Sequence, residues 1–226
     1  MPRISRFVIN NGIYHILSRG HNRQVVFHEN EDYQRYLMIL ADCKQNYSIK
    51  LYHYTLMPNH PHLILTLPEG KMLAKAMRKL NQSYAQYYRR KYGGIGYLWQ
   101  DRFKSFVIQN GLYLLECGRY VETNPVRAEL VESPEQYPWS SYRVYVFGER
   151  NPILDLNPEY LRLGETPEKR QIAYREFVLC RIIEKRSEKR FFNDGVYGNK
   201  EFAEQMKNFG LKPRWSHKGK PKKREL

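Results

Sequence analysis

The chain has 226 residues, with 38 lysines and arginines against 23 acidic residues, for a formal charge of +15. At 42% hydrophobic and 27% charged it can bury a core, which excludes global disorder. No apolar run nears the roughly 20 residues of a membrane helix, no apolar stretch follows the basic start Met1–Arg6, and Cys43, Cys117 and Cys180 are too widely spaced for a metal motif or a disulfide framework. A soluble, cytoplasmic protein with no membrane partner is expected.

In chain order, Ile13–Leu17 reads as a strand ending at the polar turn Ser18-Arg19-Gly20. Glu31–Tyr47 carries Tyr33, Tyr36, Leu37, Leu40 and Cys43 at helical spacing. Ile49–Leu56 and His62–Leu67 are strands on either side of the turn signal Pro58-Asn59, a hairpin pattern. Lys71–Lys91 is a long helix with the stripe Leu73, Ala76, Met77, Leu80, Tyr84, Tyr87 and Tyr88, ended by Gly93-Gly94. Phe103–Gln109 follows as a strand, and Leu112–Glu122 as a short helix before Asn124-Pro125. The order β-α-β-β-α-β-α is that of an α+β, ferredoxin-like split βαβ antiparallel sheet, with its helices on one face and the other face left for a ligand. Beyond Pro125 the signal weakens. Residues 134–148 read as an aromatic loop, Thr166–Arg186 as a helix capped by Thr166, and Lys200–Asn208 as a further short helix.

The charge points to a polyanion, because each phosphate neutralised by lysine or arginine releases counterions. Nineteen tyrosines and ten phenylalanines sharpen this to single-stranded nucleic acid, where rings stack on bases beside cations that hold phosphates. The stretch Tyr84, Tyr87, Tyr88, Arg89, Arg90, Lys91 and Tyr92 has that mixture, although any one tyrosine can equally be a core residue. Lys212–Leu226 has seven basic residues against Glu225 alone, with little to bury, and reads as a disordered basic arm. The body is basic without it.

His60-Pro61-His62 opens a predicted strand, so both imidazoles fall on one face and can share a divalent cation. Tyr120 and Asn124 are i and i+4, on one helical face if the turn extends that far. A phenol, two imidazoles and an amide oxygen suit phosphodiester cleavage through a phosphotyrosine, with a metal organising the phosphate. Asn124 can instead cap its helix, and Tyr120 can be a packing residue as Tyr113 can. His15, His21, His28 and His53 read as structural or surface residues.

Four segments then carry a family resemblance: Tyr14-His15-Ile16-Leu17-Ser18-Arg19-Gly20, Leu56-Met57-Pro58-Asn59-His60-Pro61-His62-Leu63, Leu98-Trp99-Gln100-Asp101-Arg102-Phe103-Lys104-Ser105, and Tyr120-Val121-Glu122-Thr123-Asn124-Pro125-Val126-Arg127-Ala128. In this order they resemble the single-tyrosine HUH transposases, most of all the REP-associated tyrosine transposases. The resemblance implies a nuclease and strand transferase acting on single-stranded DNA, often beside a hairpin, as a monomer or homodimer. His60 and His62 would hold Mg²⁺ or Mn²⁺ with Asn124 completing the site, and Tyr120 would be the nucleophile, forming a 5′-phosphotyrosine. DNA contacts would come from Arg19, Arg23, Arg89, Arg90, Trp99, Gln100, Arg102, Lys104 and Arg127. The catalytic domain would span 1–148, a helical extension 149–211 and the basic tail 212–226. Pro61 and Asp101 depart from the family pattern, the first threatening a ladder hydrogen bond unless it begins the strand. Two other readings stay open: a catalytically silent binding protein of the same fold, and a metal phosphohydrolase without a covalent intermediate.

Overall fold

The computed structural model describes residues 6–94, 96–180 and 195–211. The basic tail and the distal part of the helix expected to reach Arg186 lie outside the described residues. Five strands form one sheet in the order β2-β3-β1-β4-β5: β1 (Ile13–Leu17), β2 (Lys50–Met57), β3 (His60–Thr66), β4 (Lys104–Ile108) and β5 (Val196–Tyr197). The first four pair antiparallel as the split βαβ plan requires, while β5 adds a parallel edge to β4. That fifth strand is too short to announce itself in sequence.

Helices α1 (Asn30–Tyr47) and α2 (Leu73–Tyr92) cover one face of the sheet. Tyr36, Leu40, Leu80 and Tyr84 pack there against Tyr14, Ile16, Leu63, Leu65 and Val107 in the main core. Asp32 anchors the start of α1: its buried carboxylate accepts from the His28 and Glu29 N–H groups and from the Tyr87 and Tyr92 hydroxyls. Lys91 pairs with Glu29, Glu31 and Asp32. In the Tyr84–Tyr92 stretch Tyr87, Lys91 and Tyr92 are thus tied to α1, while Arg89, Arg90 and Tyr92 keep exposed surface. Tyr84 is fully buried, with its hydroxyl on the Val26 carbonyl.

The other face is not left open, contrary to the sequence expectation. Helix α3 (Leu112–Glu122) lies across it, with Leu114, Cys117 and Val121 against Tyr52, Ile64 and Ile108. A bulge at Tyr52 in β2 shifts the register between Leu51 and His53, which turns His53 toward α3. There Gly118 gives α3 room: a Cβ at that position would stand 2.6 Å from the His53 ring.

Residues 142–179 stack outside α3. Helix α5 (Tyr142–Phe147) forms within the segment read as a loop, followed by α6 (Pro158–Leu161) and α7 (Pro167–Leu179). Tyr-Arg-Val-Tyr-Val-Phe has no helical preference of its own. Burial of Tyr142, Tyr145 and Val146 against Leu115, Tyr160, Tyr174 and Val178 imposes the helix. Helix α8 (Lys200–Asn208) begins at Asn199, whose side chain caps it, and buries Met206 in the main core. No helix among the described residues is long and apolar enough to cross a membrane.

Candidate functional site

The hairpin between β2 and β3 places the two histidines. Its loop is Pro58-Asn59, so His60 pairs with Met57 and β3 begins two residues earlier than the sequence suggested. Pro61 is thus inside the strand, opposite Leu56, yet costs no ladder bond. Leu56 turns its N–H outward to the Trp139 carbonyl, marking a pair that exchanges no hydrogen bonds, and β1 pairing reaches only to His62. His60 and His62 then share the face under α3.

On that face β1 contributes His15, whose ring stacks on His62 at 5.1 Å with Nε2 2.8 Å from His62 Nδ1. Both rings are buried. His60 and His62 lie 4.8 Å apart, centroid to centroid, and His60 Nδ1 is engaged by the Asn59 side-chain oxygen. Tyr120, near the end of α3, presents its ring edge-on to His62 at 6.2 Å and to His15 at 6.1 Å. The Arg127 guanidinium sits 4.8 Å over the Tyr120 ring.

Tyr120 and Asn124 do not share one continuous helix. Helix α3 ends at Glu122, and Asn124 opens a separate turn, α4 (Asn124–Arg127). The Asn124 amide N–H₂ donates back to the Tyr120 and Val121 carbonyls at 2.9 and 3.3 Å, so it caps α3 and leaves Oδ1 as its remaining side-chain acceptor.

Electrostatics keep the imidazoles neutral. Burial, with the Arg19 charge adding to it, lowers the His60 pKa to about 4. Burial and His60 lower that of His15 to about 3, and His62 is held well below its usual value by burial, its two neighbouring histidines, Arg19 and Arg127. Neutral imidazole is the form that binds a cation. His62 Nε2 is buried without a hydrogen-bond partner, which is uncommon for a buried polar atom. Among the described residues no cluster of three His, Cys, Asp or Glu side chains surrounds a common point, so oxygen from Asn124, water or substrate would have to complete any coordination shell.

The expected DNA contacts divide into two groups. Arg19 and Arg127 stand at the histidines, with a buried Arg19 Nε that has no partner. Arg89, Trp99, Gln100, Arg102 and Lys104 line a groove between α2 and the segment preceding β4. Arg6 and Arg78 add to it, neither singled out by sequence. Trp99 is anchored through Nε1 to the Asn81 carbonyl. Groove and histidines are stitched together: Gly20 bridges Trp99, His21 N–H donates to the Leu98 carbonyl, and Gln100 N–H donates to that of Arg19. Lys104 belongs to both, since it pairs with Leu17, which in turn pairs with His62. Arg90 is exposed outside the groove lining, and Arg23 is exposed in the turn after Gly20.

His15 and His53, expected from the sequence to be structural or surface residues, are both buried. Each is a single histidine in an apolar strand, and only the fold reveals what it touches. His53 belongs to a buried polar cluster behind Tyr120. Its Nδ1–H donates to Glu122 Oε1 at 2.8 Å and its Nε2 accepts from Asn157 at 2.9 Å, while Ser141 and Tyr174 donate to the same carboxylate at 2.5 and 2.8 Å.

A sheet of this order, with paired histidines under a tyrosine-bearing helix, defines a class that known proteins share. The family model described as "Transposase IS200 like" matches residues 8–124, just over half of the chain, and the chain belongs to that family. The REP-associated tyrosine transposase of Escherichia coli (strain K12) is 23% identical over 143 residues, 63% of this chain and 83% of that protein. A Haemophilus influenzae (strain Rd) protein assigned to the REP-associated tyrosine transposases is 27% identical over 114 residues. That match covers 43% of this chain and 61% of the relative, less than two thirds of its length. A solved REP-associated tyrosine transposase, bound in its structure to a REP hairpin, superposes with a TM-score of 0.57 at 22% identity, over 70% of this chain and 93% of that one. That likeness shows the common fold.

Proposed function

We propose that the protein cleaves and rejoins single-stranded DNA beside hairpins through a covalent bond to Tyr120. The observation that carries this is the unpartnered His62 Nε2 in a buried histidine pair, with the Tyr120 ring 6.2 Å away. The relatives named above are tyrosine transposases, and one is bound to a REP hairpin, which supports DNA of that kind as the partner.

In this reading His60, His62 and Asn124 hold a divalent cation, Mg²⁺ or Mn²⁺. When bound, the ion supplies Lewis-acid polarisation and orientation of the scissile phosphate. Imidazole ligands favour Mn²⁺ over Mg²⁺. Arg19 and Arg127 add positive charge beside the same phosphate, and Arg127 also holds the Tyr120 ring in place. The Tyr120 oxygen bonds to phosphorus as the P–O3′ bond breaks, and the phenolic proton ends, directly or through water, on the departing 3′ oxygen. Attack by another 3′-hydroxyl reverses these changes and joins a new end, so no external energy source is needed. The flanking strand lies in the groove, its phosphates on Arg89, Arg102 and Lys104, and enters the site past Trp99 and Gly20.

Cleavage of single-stranded hairpin oligonucleotides from the protein's genomic neighbourhood, in Mn²⁺ or in EDTA, tests this directly. The expected result is cleavage only with metal, lost at least ~100-fold in His60→Ala. Full cleavage in EDTA would overturn the metal role.

A further inference from the structure

We infer that His15 is a positioning residue that holds the ring orientation of His62 and accepts its Nδ1 hydrogen when Nε2 of His62 offers its lone pair to the cation. The inference rests on the metal reading above and deepens it. His62 is held from one side only: its Nδ1 is 2.8 Å from His15 Nε2, and the two rings lie nearly parallel, 10° apart with centroids at 5.1 Å. One proton is shared across that contact. If it sits on His62 Nδ1, that N–H donates to His15 Nε2 and His62 Nε2 is a bare acceptor. If it sits on His15 Nε2, then His62 Nε2 carries its own hydrogen and is the wrong atom for a metal. Hydrogen bonding alone does not choose, because the first arrangement places a hydrogen on the buried His15 Nδ1 and the second on the buried His62 Nε2; a cation at His62 Nε2 tips the balance to the first. A buried acceptor covered by a cation is the satisfied alternative.

The cross-strand register makes His15 suited to this role. His15 pairs with Ile64 and Phe106, and His62 pairs with Leu17, so the two histidines are diagonal neighbours on one face of adjacent central strands. Phe106 stacks on the other side of His15 at 5.9 Å, which restricts rotation of the His15 ring. Both rings therefore sit in a packed layer below α3, and the support is built into the sheet rather than into a loop. Histidine ligands elsewhere commonly have the second ring nitrogen held by a carboxylate or carbonyl; here an imidazole takes that place.

Two measurements test the inference. In the Mg²⁺-loaded wild-type protein, ¹⁵N spectra of the ring nitrogens should show His62 protonated at Nδ1, with that hydrogen bonded to His15 Nε2; a hydrogen on His15 Nε2 instead would overturn the proposal without any variant. Mn²⁺ titration without DNA, by calorimetry, should then show affinity reduced about 10–100-fold in His15→Phe, which keeps the stacked ring but removes the acceptor. His15→Gln, whose side-chain oxygen can accept from Nδ1–H, should recover part of that loss. Wild-type affinity in a folded His15→Phe would overturn the positioning role while leaving the metal reading intact. Failure of the wild-type protein itself to bind Mn²⁺ would overturn both.

Discussion

The hydroxyl of Tyr174 is predicted to hold α3, and with it Tyr120, in place through Glu122. Glu122 is fully buried and has three donors on its carboxylate: His53 Nδ1, Ser141 Oγ and the Tyr174 hydroxyl. Because Asn157 accepts the Glu159 N–H at its Oδ1, its N–H₂ faces His53 Nε2, and Nδ1 is the His53 nitrogen that donates to Glu122. Three hydrogen bonds thus serve the buried carboxylate. Tyr174→Phe keeps the ring packed on Tyr145 and Tyr160 and removes one charge-assisted bond, at a cost of about 1.5–3 kcal/mol. For a domain of this size that is a fall of roughly 3–12 °C in melting temperature. Urea unfolding of wild type and variant measures it, and a difference under about 0.5 kcal/mol would refute the reasoning. Since Tyr174 and Asn157 lie beyond residue 148, the same reasoning predicts that a chain ending at 148 loses stability throughout α3.

Three further outcomes follow from other parts of the molecule. Gly118→Ala should cost about 1–3 kcal/mol, because the new methyl meets a His53 ring fastened at both nitrogens; an unchanged urea midpoint would contradict that. Burial alone would raise the Asp32 pKa, but the Tyr92 hydroxyl, the His28 N–H, the Tyr87 hydroxyl and the Glu29 N–H together hold it below 3.8. Its stabilising contribution is therefore complete above the unfolded value and lost as pH falls through the folded one, so the stability gap between wild type and Asp32→Asn should be flat at neutral pH and close below about pH 4. A gap unchanged at about pH 2 would count against it. Deleting residues 212–226 should weaken DNA binding and lower the salt slope by up to ~0.7 per lost phosphate contact, with hairpin preference unaltered; binding titrations across a salt series would expose any shift in preference.

Much of this was legible in the chain because its periodicities are strong. The α1 and α2 stripes, the Pro58-Asn59 hairpin and the β-α-β-β-α-β order come directly from residue spacing, whereas the choice of His60, His62 and Tyr120 as one group rests on the family resemblance, because spacing alone leaves Tyr120 equivalent to Tyr113. What escaped depends on contacts distant in sequence. The bulge at Tyr52 reverses which β2 residues face α3, and no local signal marks it. The helix at Tyr142–Phe147 exists because tertiary burial overrides local preference. The hydrogen bonds from Tyr87 and Tyr92 to Asp32 likewise join residues some 55–60 positions apart, beyond any local pattern. Asn124 illustrates the limit at the site itself: its spacing from Tyr120 suggested a shared helical face, whereas it caps α3 from the next turn.

The central claim is that Tyr120 becomes covalently joined to DNA. Purified protein mixed with a single-stranded hairpin oligonucleotide labelled on the 3′ side of the scissile bond, then run on a denaturing gel, reads that bond directly. The predicted result is a labelled protein–DNA adduct that forms in Mn²⁺, is abolished by EDTA and is absent from Tyr120→Phe. Cleavage with no adduct, or an adduct that persists in Tyr120→Phe, would contradict it.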